Sequence, residues 1–165
     1  MKKTMLCIVS FALMLVSLSA SVDKDRDAQI GHTAPTLVVE RNGSAASLQQ
    51  MRGKRVILSF WSAADAQSRM EQNRIDAMAR KAASLHKDVE VLSVNFDRSE
   101  RLMDEIVSYD NLDPSSQFHV GTPDDAAAVR DAFQLHNGLR TFIIDEQGKI
   151  ICADPTEAQL LEALG

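Results

Sequence analysis

The chain has 165 residues and a formal net charge of −5, with 45% hydrophobic and 25% charged residues. A negative balance disfavours association with a phosphate backbone, so nucleic acid is not an expected partner. The length suits one domain with its own core and leaves little room for a second.

The first 21 residues differ from everything after them. Lys2 and Lys3 give a positive start, Met5 to Val16 is almost wholly apolar, and Ser17, Ser19, Ala20 and Ser21 supply small residues for a peptidase. Residues 1–21 therefore read as a cleaved signal peptide. A membrane-spanning helix needs about 20 apolar residues, and this run reaches about a dozen before the serines begin. Cys7 sits inside the run, not just after a cleavage box, so it does not suit an acylated N-terminus. The expectation is a periplasmic or secreted protein with no stable membrane insertion after cleavage. Loss of Lys2 and Lys3 takes the charge to about −7. Cys152 is then the single thiol, so no intramolecular disulfide can form, although an oxidising compartment is where disulfides are normally used.

Residues 22–29 are polar and charged and read as a short tail; residues 30–165 read as the domain. Leu37, Val38 and Val39 suggest a first strand, ending at an Asn42-Gly43 turn. Arg55 to Trp61 is β-branched and apolar with little alternation, as in a strand buried on both faces. From Ala66 to Leu85, Met70, Ile75, Met78, Ala82 and Leu85 recur at three- and four-residue spacing, which predicts a long amphipathic helix with the methionines filling core. Val89 to Phe96 is a second continuous apolar strand, and Ser99 caps a helix carrying Leu102, Met103, Ile106 and Val107. The polar stretch from Asn111 to Gly121 is either a connection or a binding insertion. Thr122-Pro123-Asp124-Asp125 opens a helix to about Phe133, where acids in the first turn suit the helix dipole. Thr141 to Asp145 and Lys149 to Cys152 form a hairpin around Gly148, and Thr156 to Leu164 is a last helix. Alternating strands and helices without repeats predict an α/β domain with a mixed sheet covered on both faces.

This order resembles a thioredoxin-like fold, a three-layer α/β/α sandwich with a central mixed β-sheet. Local sequence narrows the resemblance to the TlpA/ResA, AhpC/TSA-like branch. Gly31-x-x-Ala34-Pro35, Leu48 to Lys54, the strand Val56 to Trp61, and Thr141-Phe142-Ile143-Ile144-Asp145 with Gly148-Lys149-Ile150 are each similar to that branch, and they occur in its order. The resemblance implies a thiol-disulfide oxidoreductase with Phe-Trp-Ala-x-Trp-Cys-x-x-Cys at the end of the central strand. Here the same stretch is Phe60-Trp61-Ser62-Ala63-Ala64-Asp65-Ala66-Gln67-Ser68, so Asp65 and Ser68 take the cysteine positions. Dithiol exchange needs a low-pKa thiolate and a second, resolving thiol, and a carboxylate and a hydroxyl supply neither. The family also carries a cis-proline before the later strand, a position held here by Leu139. A non-proline cis bond costs about 2.5–4 kcal/mol, against about 0.5–1 before proline, so a trans bond and a reshaped groove are expected.

The candidate site is therefore the family's active-site position: Trp61, Asp65, Ser68 and Leu139. Asp65 at a helix start serves as an N-cap, or, with Trp61 and Arg140, presents a recognition surface. Ser68 as a nucleophile would need a neighbouring base. His32, His86, His119 and His136 are scattered without metal-ligand spacing, and neither a metal nor another cofactor is expected. Cys152 on the hairpin reads as packing, with a one-thiol chemistry as the alternative. The expectation is a redox-inactive exported protein that binds an envelope protein or peptide. The alternatives are an oxidoreductase or peroxidase-like protein using Cys152, and a scaffold subunit of an envelope assembly.

Overall fold

The computed structural model describes residues 28–84 and 89–165. The expected signal peptide, residues 22–27 of the expected tail, Leu85 and His86 lie outside the described residues. A hairpin comes first, β1 (Val38–Arg41) and β2 (Ser44–Ser47), turning at Asn42-Gly43 as the sequence predicts. Then follow β3 (Arg55–Trp61), α1 (Ala66–Ala83), β4 (Val89–Asn95), α2 (Glu100–Tyr109), β5 (Gln117–His119), α3 (Pro123–Ala132), β6 (Thr141–Ile144), β7 (Ile150–Ala153) and α4 (Glu157–Leu164).

The seven strands form one mixed sheet in the order β2-β1-β5-β4-β3-β6-β7. β3, β4 and β5 are parallel; β6 joins β3 antiparallel and β1 joins β5 antiparallel. α3 packs on one face, while α1, α2 and α4 pack on the other. This is the thioredoxin-like α/β/α sandwich that the sequence resemblance implies. Each α-helix begins at a side-chain cap: Asp65, Ser99, Thr122 and Thr156 accept from the backbone three residues on, and the last two form full capping boxes with Asp125 and Gln159.

The two faces are built differently. On the α3 side, Phe60, Phe133 and Phe142 meet with ring centroids 5.0–6.2 Å apart, within an apolar cluster that includes Leu37, Leu58, Leu92 and Ile144. On the α1 side, Ile57 packs against Ile75 and Leu160, but the next residue on that face is Ser59. The register sets Thr141, Ser59, Ser93 and Gln117 side by side across four strands, all buried. The buried residues of α1 are Ser68, Gln72, Ile75, Asp76 and Ala82, three of the five polar.

Three expectations change. Met70 does not fill core; it is 73% exposed, because the inward face of α1 carries polar residues and the apolar spacing alone misassigned it. The stretch from Asn111 to Gly121 contains β5, which joins β4 to β1. Ala28, placed in the tail by composition, is buried and donates its N–H to the Ala132 carbonyl at 3.0 Å. From there the chain runs down the outer side of β7. Gly31 N–H donates to the Ile150 carbonyl, Ile150 N–H to the His32 carbonyl, and Thr33 bridges Lys149.

Candidate functional site

The site lies where β3 ends. The loop from Ser62 to Ala64 is clamped by Asp97, whose carboxylate accepts from Ser62 Oγ at 2.7 Å, from Ala63 N–H at 3.0 and 3.1 Å, and from Asn95 Nδ2 at 2.8 Å. His119 on β5 completes the clamp. Gly121 N–H donates to its Nδ1, so Nε2 carries the proton and donates to the Asp97 carbonyl at 2.6 Å. His119, one of the four scattered histidines, thus has a local hydrogen-bonding role. The Asp97 and Asn95 roles were missed; two polar residues closing an apolar strand were the available signal.

Beyond the clamp, Asp65 Oδ1 accepts from Ser68 N–H at 2.8 Å, the N-cap the sequence suggests. Ser68 is 6% exposed. Its hydroxyl donates to the Asp65 carbonyl at 3.1 Å and accepts from Ser62 N–H at 3.3 Å. Among the described residues no histidine, lysine or carboxylate hydrogen-bonds to the hydroxyl, so nothing activates it as a nucleophile.

Trp61 is not part of the exposed surface. Its side chain is 0% exposed and packs against Met103, Val107 and Leu112, because strand alternation turns it toward α2 and the segment after it. The expected grouping of Trp61 with Asp65 and Arg140 on one recognition surface is corrected accordingly.

Asp65 and Arg140 do meet around a common cleft. Peptide bonds among the described residues are all trans, including the one before Leu139. Leu139 forms a ridge between two depressions. One, about 620 Å³, is lined by Phe60, Ser68, Met70, Leu139, Thr141 and Pro155 among others. The other, about 880 Å³, is lined by Asp65, Asp131, His136, Leu139, Arg140 and Asp154 among others. Arg140 reaches Asp154 through Nε and Nη2, both at 2.8 Å, and lies over the Phe142 ring. Its carbonyl accepts from Phe60 N–H at 3.0 Å, which ties the ridge to β3.

Cys152 lies on β7 paired with Ile143, half-buried, and lines neither depression. Burial pushes its thiol up from the ordinary value, with the nearby Asp154 charge acting the same way. The described residues contain no group of three or more His, Cys, Asp or Glu arranged to hold a metal.

Comparison with known proteins agrees with the fold. The AhpC/TSA family model matches residues 30–153. The chain belongs to the AhpC/TSA family. A thioredoxin-like protein from Parabacteroides distasonis is 30% identical, with a TM-score of 0.69 over 84% of this chain and 96% of that one. The thioredoxin domain of a thiol-disulfide oxidoreductase from Bacteroides vulgatus is 21% identical, with a TM-score of 0.69 over 82% and 95%. A thiol:disulfide interchange protein from a Bacteroides species is 22% identical, with a TM-score of 0.70 over 82% and 88%. These last two show the shared fold. No curated protein matches the sequence. Within this AhpC/TSA chain, no helix among the described residues is long and apolar enough to cross a membrane.

Proposed function

We propose that this AhpC/TSA-family chain is an exported thioredoxin-fold protein that does not exchange disulfides and acts by binding a protein or peptide segment in the cell envelope, in the cleft around Leu139. One observation carries the reading. Asp65 and Ser68, at the positions that the family resemblance gives to the redox cysteines, are both tied into the start of α1, carboxylate to N–H and hydroxyl to carbonyl. The fold keeps an accessible cleft at that place while the chemistry for thiol exchange is missing from it. The leader-like composition of residues 1–21 supports export.

The one-thiol alternative has less behind it. A reactive cysteine needs a thiolate, and burial and Asp154 both work against one at Cys152.

Two measurements test the proposal. Purified protein should not accelerate insulin reduction by dithiothreitol, and catalytic turnover would overturn the redox-inactive reading. A photo-crosslinking amino acid at position 139 should capture an envelope partner that Asp65→Arg loses, whereas one at position 161 on α4 should not. Equal capture from both positions would reject the cleft as the binding site.

A further inference from the structure

The two depressions beside Leu139 differ in kind. Beside Leu139 the 620 Å³ side has Met70 and Pro155, the ion pair of Arg74 with Glu71, and Asp154, which lines both depressions. Met70 is a large apolar side chain of α1 left exposed, and a flexible, polarisable thioether on a pocket wall adapts well to an incoming apolar group. The 880 Å³ side carries three carboxylates, Asp65, Asp131 and Asp154, against Arg140 and His136. Arg140 is neutralised by Asp154, and His136 Nε2 lies 3.6 Å from Asp131. Asp65 forms no ion pair among the described residues, and only its Oδ1 serves the helix cap. Carboxylates outnumber cations there even with His136 protonated.

We infer that the cleft takes an extended peptide segment bearing an apolar side chain close to a lysine or arginine, the apolar group on the Met70 side of Leu139 and the cation on the Asp65 side. This rests on the binding reading above and adds the chemistry of the partner. An acidic segment would set its charge against Asp65 and Asp131, whereas Asp154 is already paired with Arg140. A second copy of this chain, itself at −5, is disfavoured for the same reason. The charges are solvent-accessible, so the preference is modest and salt-sensitive.

The test is a titration followed by amide chemical shifts, using blocked serine pentapeptides that carry Leu and Lys, Leu and Glu, or Ser and Lys two residues apart. The Leu-Lys peptide should bind about three- to fivefold more tightly than the Leu-Glu peptide. Its shifts should centre on 65–70, 134–140 and 154, and its advantage should fall as salt rises. The double variant Asp65→Asn with Asp131→Asn should erase the preference. Asparagine retains capping ability, so the fold is expected to persist. Should its spectrum lose dispersion, Asp131→Asn alone, at an exposed position, should at least reduce the advantage. Equal affinity for the Lys and Glu peptides, or a preference that survives the variants, would overturn the charge assignment while leaving cleft binding standing. Equal affinity for the Leu-Lys and Ser-Lys peptides would overturn the apolar subsite. Absence of shifts with every peptide would overturn the inference together with the binding reading.

Discussion

The two faces of the sheet are lined differently. On the α3 side, packed rings and aliphatic side chains fill the space; on the α1 side, a row of hydroxyls and amides from Thr141 to Gln117 faces Ser68 and Gln72. Apolar packing is tolerant of direction but intolerant of lost volume, whereas polar contacts require a partner at a given angle. The comparison therefore separates the frame from the site: the α3 face is filled, whereas the polar row has one internal bond, Thr141 Oγ1 to Ser59 Oγ, leaves both Gln72 amide atoms without a partner among the described residues, and α1 is tied at its start by Ser62 N–H to Ser68 Oγ.

That contrast can be broken or sharpened by substitution. Phe60→Ala removes the ring that touches both Phe133 and Phe142 and should cost about 3–5 kcal/mol in urea unfolding. A cost no larger than that of a change on the α1 face would break the comparison. At the start of α1, Asp65→Ala should cost about 1 kcal/mol and Asp65→Asn only a few tenths, because the asparagine still caps. Equal losses would mean that the charge, not the cap, holds the helix.

Between α1 and α2, the Arg69 guanidinium grips Asp110 with two contacts of 2.6 Å, and Asn73 adds a third at 3.2 Å. The Arg69 hydrogen bond, followed by that of Asn73, holds the Asp110 carboxyl below its ordinary range despite an opposing burial effect. A carboxyl that titrates lower in the fold than in the unfolded chain stabilises above the ordinary carboxylate value, and that contribution is lost as pH falls through the depressed folded value. Asp110→Asn should therefore cost about 1 kcal/mol at neutral pH, a figure reduced for the partly exposed guanidinium, with the difference from wild type closing in strong acid. The smallest effect is expected at Ser93, whose buried Oγ has no hydrogen-bond partner among the described residues. Ser93→Ala should leave the melting temperature unchanged or slightly raised, since an unpaired buried hydroxyl contributes nothing to lose.

Much of this frame is legible in the sequence because its strands are continuous runs. Arg55 to Trp61 matches β3 residue for residue, and Ser99 and Thr122 cap the helices they were expected to cap. β5 was not legible: it is three residues long, and its two inward side chains, Gln117 and His119, are polar because they face the polar row and the Asp97 clamp. Met70 and Trp61 fail for related reasons. An inward helix face written in Ser68, Gln72 and Asp76 looks like an outward one, which sends the nearest methionine to the wrong side. Trp61 was judged by its place in a motif, whereas its orientation is set by the two-residue period of β3 and by the cover that α2 supplies. The cap at Asp65 could be read from composition, but the Asp97 clamp joins residues more than thirty positions apart and has no local signature.

A sheet ends in two rows of unsatisfied peptide groups, and each is an invitation to a neighbouring molecule. β2 is only four residues long. At the other border, residues 31–33 lie against Ile150 and Lys149 like a selvedge, occupying donors and acceptors that a stranger's strand would otherwise claim. The segment that leads into the domain thus doubles as a guard against fibre-like stacking, and a version of the chain begun at Ala34 would be expected to stay folded in dilute solution yet associate as its concentration rises.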